Sequence, residues 1–468
     1  MCNPGPSAPQ DAAPDRPCTV DPEGILVYSV RIERRTMRRT AAILLSVVGF
    51  AALTHAAEFD KRWQVQASDQ TLRQAWQRLK ALDVPGLPKD SRFQVTGENS
   101  FVSPAGDDAN PGTRDKPWRT LQKACAELRP NTVVYLMAGT YYGPAAARVQ
   151  GTENSPAAIR AVEGTEVIVT YSDAWVKAEA DKLVSVEPSN DIRNRAMGKD
   201  GQSKHYPALL TLSGGFIEVS GLHFVGVRDR LPHNLYSENG ISISGGTSYR
   251  ILYNEVENVG HCGVKAMHHG EHGYLIEGNF LHDLGHTQHD HGIYCPSDDG
   301  TIRRNLILNS AGYGIHAYST PARTVVSHNI VAGHAAYGII LGGPDARVYH
   351  NIVFGNHEGG LFFFREGCRR AVVENNIFWG PGRAFGIDDS PSANLADYNC
   401  IATEATVATA SPAYTYGSHN IRADPCFVDA AGLDFSLKPD SPCVHAGDPA
   451  AGAHDGKAPD IGLFQTRH

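Results

Sequence analysis

The chain has 468 residues, 41% hydrophobic and 20% charged, with 47 Gly and 28 Pro. That is enough apolar sequence for one large core or two ordinary domains, and it excludes a disordered, collagenous or coiled-coil chain. A formal net charge of −8 at pH 7 gives no global attraction to nucleic acid or to an anionic membrane surface.

Residues 38–57 read RRTAAILLSVVGFAALTHAA: two arginines, an apolar run from Ala41 to Leu53, and a small-residue end, Thr54-His55-Ala56-Ala57. This is the pattern of a secretory signal, and the run is too short for an ordinary membrane span. It stands behind 36 residues that such a signal does not need. Met37 is therefore read as the start, residues 1–36 as an upstream extension and 37–57 as a signal peptide, sending the chain to the periplasm or outside the cell. Residues 58–99 contain one helical stretch, Asp69 to Leu82, with Ser68 or Asp69 as N-cap and Leu72, Trp76, Leu79 and Leu82 on one face. It is expected to pack on the end of the domain that follows. Export permits disulfides, but the remaining seven cysteines are odd in number and lack CxxC spacing. Cys400, Cys426 and Cys443 could supply one bridge, and scattered buried thiols are the preferred reading.

From residue 240 onward the chain repeats. Asn followed by a mostly apolar residue recurs at Asn254, Asn279, Asn305, Asn329, Asn351 and Asn376, in steps of 25, 26, 24, 22 and 25. Gly followed by an aliphatic residue runs in phase at Gly240, Gly263, Gly292, Gly314, Gly338, Gly360 and Gly386. The segments GISI, GVKA, GIYC, GIHA, GIIL, GLFF and GIDD are short alternating strands, and a second strand precedes each Asn. Several short strands per repeat with an Asn at a fixed place describe a parallel β-helix, in which a ladder of Asn side chains satisfies backbone groups at a bend. Leucine-rich repeats share the period but need a leucine-dense pattern that is absent.

Three segments carry a resemblance. SFVSPAGDDANPGTRDKPWRTLQKACAELRPNTVVYLMAGTYYG (100–143), SPAAIRAVEGTEVIV (155–169) and DPCFVDAAGLDFSLKPDSPCVHAGD with DIGLF (424–464) resemble the entry, first rungs and tail of right-handed parallel β-helix proteins related to polysaccharide lyases. The resemblance covers residues 100–464 and implies an all-β, right-handed solenoid with a short helical cap at its N-terminal end, acting on an acidic polysaccharide by β-elimination. It places Cys426 and Cys443 where relatives carry apolar residues.

Strand periodicity then selects the outward side chains. In the Gly-led strands Val264, Ile293, Ile315, Ile339 and Leu361 point inward, so Ser242, Lys265, Tyr294, His316, Ile340 and Phe362 point outward. With coils about 4.8 Å apart, Lys265, Tyr294 and His316 form one vertical row about 10 Å long. Two positions on, the outward set includes Tyr318, Gly342 and Phe364. From Asn to the next Gly the chain takes 9 or 10 residues in the other coils but 13 from Asn279 to Gly292, and this longer loop leads into the Tyr294 strand. Departures from a repeat are where solenoids carry function. Eight of the 21 histidines fall within 261–291: His261, His268, His269, His272, His282, His286, His289 and His291.

This set suits removal of a proton beside a carboxylate. Lys265 or His316 is the candidate base, Tyr294 the acid partner, and His291 with Asp290 an orienting pair. Tyr318, Arg323 and Arg365 are candidate substrate contacts. The substrate carboxylate needs neutralising by calcium or by a basic side chain. Arg365, four coils or about 19 Å from Lys265, cannot share one proton transfer with it. A metal site among His282, His286, His289 and His291 is the weaker alternative, because their spacing is loose. Asp298-Asp299-Gly300 reads first as a tight turn. A glycoside hydrolase would need two carboxylates about 5–9.5 Å apart, near Asp290, Asp298, Asp299 or Glu271. A C5-epimerase would use nearly the same residues as a lyase. A non-catalytic carbohydrate-binding solenoid would depend on the tyrosines instead. The expectation is a monomeric exported enzyme with a polysaccharide substrate, no nucleic-acid partner and no membrane association after signal cleavage.

Overall fold

Each repeat folds as one coil of three short strands, and successive coils stack strand upon strand. The computed structural model describes residues 64–181, 208–231, 238–266, 272–318, 320–380, 382–388, 392–451, 457–463 and 465. The expected upstream extension and signal lie outside the described residues. Along a coil the chain passes through sheet one (12 strands), sheet two (11 strands) and sheet three (10 strands). Pairing within these sheets is parallel and links consecutive coils, as where Val264–Ala266 lies between Ile241–Thr247 and Ile293–Tyr294. This is the expected parallel β-helix.

The Asn positions form the bend between sheets one and two. Each side-chain amide donates to the Oδ1 of the Asn one coil further on: Asn254 to Asn279 at 3.1 Å, Asn279 to Asn305 at 2.9 Å and Asn305 to Asn329 at 3.0 Å. The series continues through Asn351 and Asn376 to Asn399 and Asn420, two coils beyond the run recognised in the sequence. The same Oδ1 accepts the backbone N–H of the preceding Asn, at 2.9 Å for Asn305. The residue before most of these asparagines is left-handed, including Tyr253, Arg304, His328, His350, Asn375 and Tyr398. That conformation costs a non-Gly residue roughly 1–2 kcal/mol, which the buried hydrogen bonds of the ladder offset.

The inward residues Val264, Ile293, Ile315, Ile339 and Leu361 are wholly buried in the solenoid's interior. Helix α2 (Leu121–Glu127), capped by Thr120 Oγ1 accepting from Lys123 N, adds Leu121, Ala124 and Cys125 to that interior. The expected cap helix is therefore α2. Helix α1 (Asp69–Lys80) starts as expected, with Ser68 Oγ accepting from Thr71 N, and stops two residues short of Leu82. It does not pack on the solenoid's end. It lies along the outer face of sheet two, where the indole of Trp76 donates to Gly278 O at 2.6 Å and packs 5.7 Å from Phe280.

The apolar residue after each Asn explains that position. Phe280, Leu306, Ile330, Ile352, Ile377 and Cys400 point outward in one aligned row and form a second core with Ala75, Trp76 and Leu79 of α1 and with the C-terminal hairpin Phe427–Asp429/Asp434–Leu437. Sheet two is thus buried on both faces, as parallel strands commonly are. The seven described cysteines are free thiols, all buried except the half-buried Cys426. No helix among the described residues is long and apolar enough to cross a membrane.

Candidate active site

The alternation in the Gly-led strands places the expected row as read. Ser242, Lys265, Tyr294, His316, Ile340 and Phe362 occupy one register position on sheet three in consecutive coils. The Lys265 ammonium lies 5.8 Å from the centre of the Tyr294 ring, and that ring meets His316 edge-on at 5.2 Å. Among the described residues Lys265 has no carboxylate partner. Burial pushes the Tyr294 phenol up to about 12, with smaller contributions from Cys262 and Tyr318, so it remains a proton donor at neutral pH.

His316 is fixed by its neighbours. Its Nδ1 lies 2.8 Å from His291 Nε2, and the backbone N–H of Tyr313 donates to His291 Nδ1 at 3.2 Å. Because His291 Nδ1 accepts, its proton sits on Nε2 and is donated to His316 Nδ1. His316 therefore carries its own proton on Nε2. Burial, with a smaller push from His289, pulls His316 down to about 3, and burial together with His316 holds His291 well below the usual histidine range. Both are neutral at pH 7, and His316 offers a neutral N–H rather than a free basic nitrogen.

Asp290 does not form the expected pair with His291. Its Oδ2 accepts from His286 N (2.9 Å), Thr287 N (2.7 Å) and Thr287 Oγ1 (3.0 Å), and its Oδ1 lies 3.8 Å from His261 Nε2. The three or four extra residues of the long loop close on this buried carboxylate, leaving the orientation of His291 to the Tyr313 amide. Gly312 permits the approach: a Cβ there would stand 2.6 Å from Asp290 O and 2.8 Å from His291 Nδ1. Tyr313, named in the sequence only as a ring to stack on another tyrosine or on a sugar, lies 4.8 Å from His316 and precedes its Gly just as His291 does.

The expected contacts divide. Tyr318 lies 5.0 Å from His316 and 5.4 Å from Phe364, and the Arg365 guanidinium caps Phe364 at 4.6 Å. Gly342, on the coil between Tyr318 and Phe364, leaves the gap across which these rings meet. Asp299 takes the left-handed conformation of a turn, as the sequence suggested, and its carboxylate pairs at the surface with Arg323 at 2.6 and 2.9 Å. The loop histidines are not gathered: His282 on sheet two bonds Asp283, while His291 faces His316 beside sheet three. Among the described residues near the row, the carboxylates of Asp290, Asp298 and Asp299 are committed to loop amides or to Arg323.

Comparison with known proteins agrees with this architecture. The family model described as right handed beta helix region matches residues 239–405, and a model for a protein family of unknown function, DUF1565, matches residues 104–161. The uncharacterized protein YwoF of Bacillus subtilis (strain 168) is 23% identical over 432 residues, covering 74% of this chain and 92% of its own. Pectate lyase PEL9 of Emericella nidulans is 34% identical over 77 residues, 16% of this chain and 19% of its own. Among solved structures, pectate lyase Pel9A aligns over 80% of this chain and 97% of its own at TM-score 0.47 and 13% identity, and a glycoside hydrolase over 74% and 99% at TM-score 0.46 and 12%. With its three parallel sheets, its Asn ladder and the family model matched over residues 239–405, the chain folds as a right-handed parallel β-helix.

Proposed function

We propose that this protein is an exported, monomeric enzyme that cleaves a uronate-containing polysaccharide by β-elimination on sheet three. The observation that carries the reading is the outward row of Lys265, Tyr294 and His316 on three adjacent coils. Lys265 takes the C5 proton next to the substrate carboxylate. The released electron pair forms the C4–C5 double bond, the C4–O bond breaks, and the leaving oxygen takes the Tyr294 proton. The phenolate is then reprotonated from the Lys265 ammonium or from water. His316, with its accepting nitrogen engaged by His291, serves as a hydrogen-bond donor to the developing enediolate rather than as the base. No step is routed through calcium. Tyr318, Phe364 and Arg365 would bind the chain along the solenoid axis, with the guanidinium available to a uronate carboxylate several sugars from the point of cleavage.

Asp290, Asp298 and Asp299 are already bonded within the fold, which disfavours them as a hydrolytic pair and supports elimination. The test incubates purified protein with alginate, pectate, glycosaminoglycans and glucuronan, with and without calcium, and follows the ultraviolet absorbance of the unsaturated product. The expected result is a rise on one polymer, lost at least about 10²-fold in Lys265→Ala, the lower range for a general base, with a smaller loss in His316→Ala. New reducing ends without absorbance would overturn elimination in favour of hydrolysis. Inversion at C5 without cleavage would mark an epimerase, and binding without turnover a non-catalytic solenoid.

A further inference from the structure

Beneath α1, on the outer face of sheet two, two histidines and two glutamates converge from three successive coils. His223 stands in register with Glu255, and Glu257 with His282. Glu255 and Glu257 are two apart on one strand and so share its outer face. His223 Nε2 lies 2.8 Å from Glu257 Oε1 and 3.9 Å from Glu255 Oε1, and His282 Nε2 lies 3.4 Å from Glu255 Oε1 and 3.7 Å from Glu257 Oε2. Zinc held tetrahedrally at about 2.0–2.2 Å separates its ligand atoms by roughly 3.4 Å. His223, Glu255 and Glu257 each offer one ligand atom, all within 4.8 Å of one another, so three ligands need a shift of about an ångström to reach that spacing, and His282, two coils from His223, touches the group through the two glutamates. The supporting bonds are also in place. His282 Nδ1 faces Asp283 Oδ2 at 2.8 Å, and Glu255 Oε2 accepts from Arg73 of α1 at 2.7 Å. A carboxylate behind a ligating imidazole fixes its tautomer and raises its basicity.

We propose that His223, Glu255 and Glu257 form a structural zinc site that fastens α1 to the second sheet, with His282 turning in to take the fourth position. It stands on a different sheet from Lys265, Tyr294 and His316 and does not depend on the lyase reading. Without a cation, Glu255, Glu257 and Asp283 stand in a network with Arg73, Arg228 and the two histidines, and binding measurements separate the two arrangements.

The full chain, stripped by a chelator and dialysed, is titrated with zinc chloride by calorimetry and with cobalt chloride by visible absorption. Expected are one equivalent of zinc per chain, a raised thermal midpoint, and a tetrahedral cobalt spectrum lacking a thiolate charge-transfer band. His223→Ala and Glu257→Gln should each weaken zinc binding by more than about tenfold, while Lys265→Ala leaves it unchanged. Glu257, the most exposed of the four ligands, keeps the test valid if the His223 variant fails to fold. Absence of zinc binding by the stripped chain, or equal affinity in Glu257→Gln, would overturn the site.

Discussion

A single ladder residue touches three coils. Asn305 accepts the backbone and side-chain amides of Asn279 and donates to Ile276 O, Arg303 O and Asn329. Asn305→Ala would leave buried groups on two neighbouring coils without partners, at about 1–3 kcal/mol each. A loss of about 2–4 kcal/mol in denaturant unfolding is the expected outcome, against under 1 kcal/mol for an exposed Asn. The buried histidines make a second prediction at this scale. Burial holds His316 and His334 at about 3 and His350 at about 4, and holds His291 and His328 well below the usual range. Their folded values are depressed, so the unfolded chain binds more protons below about pH 6.5. Stability should fall from pH 6.5 to 5, a window above most carboxylate titrations, with Glu238, pushed up to about 8 by burial, offsetting one of the five histidines. A thermal midpoint unchanged between pH 7 and 5 would show that these imidazoles are not buried in neutral form.

Among the elements, the loop Gly285–His291 supplies His291 to the row and depends on Gly312 for its seat. Gly312→Ala should push the loop outward, lowering turnover about tenfold or more while leaving the ladder and global stability nearly intact. Equal losses of activity and stability would mean that the loop is part of the core instead. The row itself was legible in the sequence because strands alternate with period two and each strand starts at a recurrent Gly, so the phase of Lys265, Tyr294 and His316 followed directly. The His291–His316 bond was not legible, because His291 precedes its Gly at a corner where the period is interrupted. The position of α1 was also hidden. Its apolar face was clear, but the matching surface is the residue after each Asn, and a β-helix pattern alone does not tell whether that residue points in or out. His223, Glu255, Glu257 and His282 are scattered over 60 positions of sequence and meet only through the register of sheet two.

At the scale of the whole molecule, a solenoid in which each coil touches only its neighbours tends to lose cooperativity. Two straps counter this. Helix α1 reaches from Glu255 and Gly278 to the carbonyls of Gly432 and Leu433, and the C-terminal segment returns to Asn375 through the amides of Asp448 and Gly462. Trp76→Ala, with a core cost of about 3–5 kcal/mol, should turn one calorimetric transition into a broadened or double one. A single sharp transition at a lower midpoint would show that the coils are coupled without the strap.

The Asn ladder also has a direction. From Asn to Asn the bonds run one way, each rung donating to the Asn of the C-terminal coil and accepting from that of the N-terminal one, so a half-built solenoid ends in an Asn whose backbone N–H and one side-chain proton await the following coil. Chain synthesis delivers coils in that same order, and each arriving rung supplies the acceptor that the last one lacked. Since all rungs offer the same acceptor, the characteristic error is a skipped repeat: Asn305 docking onto Asn254 while an entire intervening coil is extruded as a loop. The side chains that do not repeat, among them Lys265, Tyr294 and the long loop before it, would then be stacked in the wrong order, leaving a well-bonded spine beside a scrambled working face.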